Sequence, residues 1–373
     1  MITVKEVKTK KDIKAFLDFP LELYKNCEYF VPPLYGDEKK MFSKNFVYND
    51  TCESVFFLAE SDGKTVGRIS GIIQKASNEK NNEKRVRFTR FDAIDDVNVS
   101  SALFSAVESW AKEKGMTEIC GPLGYSDLER EGLLIYGFNE LSTFEEQYNY
   151  DYYPALVEAY GFKKEVDWEE RKLYAPDVPD EKLYRVSDMM LKKLGLRFAT
   201  CKSVNEFLNR YGDKIFALLD ESYDHLYGTV PFTDGMKKMM IANFKLIVDL
   251  KYVNVIVDEN DNVACFGVCF PSIGKAVQKS GGKLTLPCII RVLKALKKPE
   301  VLDLALIGVK PEYLRQGVSS ALIAAIMKML ENPAIDHAET NLNLEDNLSI
   351  INQWKRFKEV LHKKRRSYVK TID

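Results

Sequence analysis

Val301-Leu-Asp-Leu-Ala-Leu-Ile-Gly-Val-Lys-Pro-Glu-Tyr-Leu-Arg-Gln-Gly-Val-Ser-Ser-Ala-Leu-Ile-Ala-Ala-Ile-Met-Lys-Met-Leu330 is the stretch that decides the reading of this chain. An apolar strand runs into Pro311, a short loop carries Leu314, Arg315, Gln316 and Gly317, and an amphipathic helix opens at Val318, Ser319 and Ser320. A helix N-terminus offers unpaired backbone N–H groups and the positive end of a macrodipole, and both attract phosphate. Glycine at the turn lets the backbone come close to a ligand, and the two serines are too small to block one. The plainer alternative is an ordinary strand-to-helix unit with a tight turn.

Working outward, the same order of elements occurs twice. In the first half, Asp12–Tyr24 has helical spacing, Ser54–Glu60 and Thr65–Gln74 read as a hairpin around Asp62-Gly63, and Lys75–Glu83 reads as a polar loop. Arg85–Phe91 is a third strand, Val97–Lys114 an amphipathic helix closed by Gly115, Glu118–Pro122 a strand, and Tyr152–Tyr160 a helix stopped by Gly161. After residue 200 come helices over Val204–Tyr223 and Gly235–Leu250. Strands over Tyr252–Val257 and Val263–Phe270 precede the opening stretch; His337–Asn343, a helix over Leu348–Phe357 and a strand over Arg366–Ile372 follow it. Such a repeat, with almost no letter identity, implies a tandem α/β fold. The Pro/Asp-rich Asp177-Val-Pro-Asp180 places the join between domains 1–178 and 179–373.

The strand–Val-x-Pro-x-Tyr–loop–helix unit resembles the pyrophosphate loop of the GNAT acetyltransferase superfamily. Phe30–Leu34, Val66-Gly-Arg-Ile69, Trp110–Gly115, Gly121-Pro-Leu123, Gly132-Leu-Leu134, Gly137-Phe138 and Tyr150–Phe162 resemble a bacterial tandem-GNAT family of about this length. The resemblance implies two GNAT-like domains, each a mixed, mostly antiparallel sheet flanked by helices. It also implies an N-acyltransferase that takes acetyl-CoA or another acyl-CoA as co-substrate, with no metal. The donor would lie along Leu306, Ile307, Gly308 and Val309, where Gly308 marks a bulge and the fourth and fifth strands splay apart. Its pyrophosphate would meet Leu314–Ser320, and Asn347 would touch the pantetheine arm. In the first half the matching loop is Asp92-Ala-Ile-Asp-Asp96, whose carboxylates would cap the helix and repel a pyrophosphate. The donor is therefore expected in the C-terminal half, beside a degenerate N-terminal copy.

Acyl transfer to an amine needs a deprotonated amine, a polarised carbonyl and a proton for the leaving thiolate. Candidate bases are Asp303, Glu339 and Glu345. Trp354 stands where the superfamily carries its tyrosine acid, so Tyr313 and Tyr368 are the phenols considered instead. Tyr223, His225 and Tyr227, in the loop Tyr223–Phe232 between two helices, are the expected acceptor contacts, and the acceptor is a small-molecule or peptide amine. Tyr148, Tyr150, Tyr152 and Tyr153 form an aromatic cluster near the end of the first half.

Composition narrows the field. The 373 residues carry a formal net charge of −1, which gives no general attraction to nucleic acid or anionic membrane. The run Lys363-Lys-Arg-Arg366 reads as a solvated strand end. Seven cysteines without CxxC spacing suit a reducing, cytoplasmic setting, and three separated histidines offer no metal motif. Two other classes compete with the transferase: a non-catalytic GNAT-derived binder of CoA or a partner, and a transferase taking aminoacyl groups from tRNA. The sequence does not name an acceptor.

Overall fold

The computed structural model describes residues 1–372. The first run of elements is β1 (Ile2–Glu6), α1 (Lys10–Leu23), α2 (Tyr35–Lys40), β2 (Cys52–Ser61), β3 (Lys64–Gln74), α3 (Lys75–Asn81), β4 (Arg85–Ala93), α4 (Val97–Glu113), β5 (Glu118–Gly121), β6 (Leu133–Tyr136), α5 (Tyr153–Ala159) and β7 (Lys163–Tyr174). The second is α6 (Glu181–Lys193), β8 (Arg197–Phe198), α7 (Val204–Tyr223), α8 (Asp234–Ile247), β9 (Val253–Val257), β10 (Val263–Pro271), α9 (Gly274–Gln278), α10 (Leu286–Lys297), β11 (Val301–Val309), α11 (Val318–Leu330), β12 (His337–Thr340), β13 (Asn343–Leu344), α12 (Leu348–Trp354) and β14 (Lys358–Thr371). The segment Lys75–Glu83, expected as a loop, is helical as far as Asn81, because the Gln74 side chain accepts from Ala76 N–H and caps it.

Packing divides the chain into two compact units: residues 1–169 with 274–291 and 362–373, and residues 170–273 with 292–361. In the first, the strand order is β1-β2-β3-β4-β5-β14, antiparallel except for the parallel β4–β5 pair. In the second it is β8-β9-β10-β11-β12-β7, antiparallel except for β11–β12. The two sheets follow one plan, and the sixth strand of each belongs to the other half of the sequence. Tyr368–Thr371 of β14 pair with Gly121–Glu118, and Leu173 and Lys172 of β7 pair with Ala338 and Glu339.

This exchange corrects the expectation that the last strand completes the C-terminal half. Tyr368 lies in the first unit, where its hydroxyl donates to Glu158 at 3.2 Å. The basic run on β14 is not solvated either. Alternate residues of a covered strand point inward, and Lys363 and Arg365 are fully buried, with Lys363 Nζ donating to Leu141 C=O.

Each unit buries its own core. In the first, Leu103, Phe104 and Val107 of α4 pack on Ile69, Val86 and Phe88 of the sheet. In the second, Leu322, Ile323, Ile326 and Met327 of α11 pack on Cys265, Cys269, Leu302 and Leu304. Burial pushes the thiols of Cys265 and Cys269 up to about 12, so both are inert packing groups.

Candidate active site

In the second unit, β11 pairs with β12 only over Val301–Leu304, the last pair being Leu304 with Thr340. One more bond runs from Asn341 N–H to Leu304 C=O at 3.2 Å, and beyond it the two strands part. The cause lies in the β10–β11 register, where Cys269 faces Leu304 and Val268 faces Leu306, leaving Ala305 as an extra residue. A bulge of this kind bends the strand and re-aims its backbone. The bulge is therefore at Ala305 and not at the expected Gly308. Gly308 serves a different need: a Cβ there would lie 2.4 Å from Phe266 Cε1, so only glycine admits that ring.

The C-terminal half of β11 meets two side chains from the end of α7. Tyr223, the last residue of α7, donates its hydroxyl to Ile307 C=O at 3.0 Å and accepts from Ile307 N–H at 3.4 Å. Ser222 donates to Val309 C=O at 3.4 Å. The following loop holds His225, which is exposed, and Tyr227, which is half-buried.

At the far end of β11, Lys310–Leu314 make a single tight turn, and Arg315 and Gly317 both take left-handed backbone angles, φ +67° and +83°. Gly317 is the N-cap of α11, and among the described residues no side chain caps that helix. Gln316 bonds back to Glu312 C=O, while Leu314, Arg315 and Gln316 are exposed and Val318 is buried beneath them. The first turn of α11, with Ser319 and Ser320 half-buried, thus presents uncapped N–H groups just after an exposed arginine, Arg315.

The carboxylates separate by environment. Asp303 is buried on β11, two residues before the bulge, opposite Phe270 and in register with Glu339 of β12. Glu345 is exposed in the turn after β13. Asn347 caps α12: its Oδ1 accepts from Ile350 N–H at 3.4 Å and from Ser349 Oγ at 2.9 Å. Trp354 is 3% exposed; its Nε1 donates to Asn343 Oδ1 at 2.8 Å, and its ring packs beside Phe357.

One group escaped the sequence reading. His337 is buried on β12 between Asp336 (Nδ1 to Oδ2, 2.6 Å) and Glu339 (Nε2 to Oε1, 3.3 Å), with the Tyr174 ring 5.4 Å away. Burial lowers its pKa, but the bonds to Glu339 and Asp336 outweigh that and raise it. In strand register His337, Glu339 and Asp303 share one face, opposite the face bearing Leu302, Leu304 and Ala338 of the α11 core. Alternation would have shown it, since His337 and Glu339 are two apart on a predicted strand.

The equivalent region of the first unit is built differently. Here β4 parts from β5 after Arg87 and Cys120, and the bulge sets Arg90 and Phe91 opposite Ile69. Arg90, at φ +47°, ion-pairs with Glu38 and Glu129, both at 3.1 Å. Asp92 holds Arg68 at 2.7 Å and accepts from Tyr24 at 3.0 Å, with both members of the ion pair buried. Tyr153 accepts from Ala93 N–H at 3.0 Å, and Tyr152 donates to Ala93 C=O at 2.8 Å. Asp96 then caps α4, accepting from Asn98 N–H at 2.8 Å. Two members of the tyrosine cluster thus satisfy the backbone at the end of β4.

These paired units, each with a bulged fourth strand splayed from the fifth, decide the fold. It is a tandem GNAT fold. A solved tandem GNAT protein from the clavulanic acid biosynthesis pathway shares it at TM-score 0.55 and 11% identity, covering 100% of this chain and 99% of that one. By sequence, the GNAT-fold chain is 28% identical over 378 residues to protein YghO of Escherichia coli K12, covering 97% of this chain and 94% of the relative. It is 27% identical over 327 residues to a bacterial ceramide synthase of Caulobacter vibrioides, covering 84% and 81%. No family model matches the chain.

Proposed function

We propose that the protein is an N-acyltransferase that binds one acyl-CoA in its second unit and transfers the acyl group to an amine. The observation that carries this reading is the uncapped N-terminus of α11, set at the end of a strand freed from its neighbour by the Ala305 bulge. Leu314–Ser320 would take the pyrophosphate, the backbone of Leu306–Val309 the pantetheine and acyl carbonyl, and Asn347 the arm as it passes α12. Tyr223 lies on Ile307, where the acyl carbonyl would hydrogen-bond, so donor binding would displace that hydroxyl.

In the reaction the amine nitrogen attacks the thioester carbonyl and the C–S bond breaks. Asp303 is the proposed acceptor of the amine proton, with Glu345 at the solvent edge as the second. The His337–Glu339 pair holds that face in one arrangement. The Trp354 N–H is committed to Asn343, so the thiolate would take its proton from solvent. Tyr223, His225 and Tyr227 would contact the acceptor.

The relative named a ceramide synthase favours one acceptor class. A ceramide is an amide of a long-chain amino alcohol, and carried to this chain the name points to a lipid amine and a long acyl donor. The test is CoA release from acetyl-CoA and a long-chain acyl-CoA with an amino sugar, a peptide and a long-chain amino alcohol. The expected result is amine-dependent release that Gly317→Glu abolishes. CoA binding without release for any amine favours a non-catalytic binder, and absence of CoA binding refutes the proposal.

A further inference from the structure

Between β10 and β11 the chain inserts α9 and α10, whereas the corresponding β3–β4 connection holds only the seven-residue α3. From Gly274 to Pro299 this segment contains six lysines and Arg291 and no Asp or Glu. Cys288 of α10 is buried, and its Sγ packs 3.7 Å from Ala276 C=O; on the other side Leu286, Ile289, Ile290 and Leu293 are all exposed. Those positions follow the i, i+3, i+4, i+7 spacing of a single helical face. Leu284 extends the apolar strip just before the helix, 55% exposed. Lys294 and Lys297 in the last turns of the helix and Lys298 just after it, all exposed, follow the strip. The base of the segment is anchored: Gln278 donates to Glu28 C=O and Phe30 C=O, Tyr35 N–H to Gly282 C=O, and Arg291 to Ala276 C=O.

We propose that α10 docks in the plane of an anionic lipid surface. Five large apolar side chains exposed on a fixed helix and its lead-in are what such a surface buries, and the lysine stems can snorkel to the headgroups. At 12 residues the helix is only about 18 Å long, too short to cross a bilayer. A second copy of the chain is a poor cover, because it would bring the same lysines against these. The formal charge of −1 for the whole chain averages this local excess away. The inference does not depend on the acyl-transfer reading, since it concerns adhesion alone.

The test is co-sedimentation of the full-length protein with vesicles of phosphatidylcholine alone and with one-third phosphatidylglycerol, at low and raised salt. Binding to the anionic vesicles, weakened by salt, is expected. Neutralising Lys294, Lys297 and Lys298 together to Gln should weaken it roughly 100-fold, about fivefold per lysine. Ile290→Glu with Leu293→Glu should abolish it; both residues are exposed, so the thermal midpoint should hold. No sedimentation with either vesicle, or binding indifferent to the glutamates, would overturn the proposal. So would a dimer in sedimentation equilibrium that the glutamates dissociate, which would mean that a second copy covers the helix.

Discussion

The ends of β4 and β11 occupy the same place in their two units and are finished in opposite ways. At β4 the bulge residue is an arginine bound by two glutamates, the backbone at Ala93 is satisfied by two tyrosines, and an aspartate caps the next helix. At β11 the bulge residue is alanine, a single tyrosine hydroxyl rests on Ile307, and α11 begins at an uncapped glycine. One plan thus yields a closed, self-satisfied strand end and an open one, where we propose that the anion binds. The difference lies in which polar groups fill the gap, not in the order of strands.

The comparison is broken most forcefully in the closed unit. Asp92→Ala leaves buried Arg68 without its carboxylate, and such losses cost about 3–5 kcal/mol. Chemical denaturation should show that loss while acyl-CoA affinity stays within a few-fold; a large affinity loss would mean the first unit holds the donor. In the open unit Trp354→Phe removes the donor to Asn343, for an expected loss of about 1–3 kcal/mol. A proton-inventory or rate defect without that stability change would instead give the indole a chemical role.

Tyr223→Phe sharpens the contrast at Ile307. Without the competing hydroxyl, acyl-CoA should bind roughly two- to tenfold more tightly in calorimetry. Weaker binding would make the hydroxyl a ligand contact and not an occupant. The smallest effect concerns pH. The His337 pKa is raised on folding, so its pairing contributes stability fully below the unfolded value of about 6.5 and loses it as pH rises through the folded value. The thermal midpoint of the wild type should therefore fall relative to that of His337→Gln as pH rises above 6.5. Parallel curves would mean that His337 gains no proton affinity on folding.

The order of elements was legible because hydrophobic period and turn chemistry are local properties of sequence. The strand exchange was not, since Arg366–Ile372 reads as a strand whichever sheet receives it; pairing is settled by tertiary register. The buried side chains of Lys363 and Arg365 were missed for a related reason: a basic run looks solvated until its strand is known to be covered. The bulge was expected at the glycine but falls at Ala305, because Gly308 is needed for the close approach of Phe266. The acidic loop Asp92–Asp96 was read correctly as self-capping at Asp96. The burial of Asp92 with Arg68 needed three-dimensional partners 24 residues apart. The α10 strip went unread because exposed apolar residues give the same helical period as buried ones.

The central claim is that only the open strand end takes an acyl-CoA, and calorimetric titration with acetyl-CoA or CoA tests it directly. The account predicts about one ligand per chain, lost in Gly317→Glu, where a side chain and a negative charge enter the uncapped helix start at φ +83°. Asn98→Glu at the matching helix should leave the affinity within a few-fold, with thermal midpoints confirming that both variants fold. Two equivalent sites per chain, or binding lost through Asn98→Glu and retained in Gly317→Glu, would contradict it.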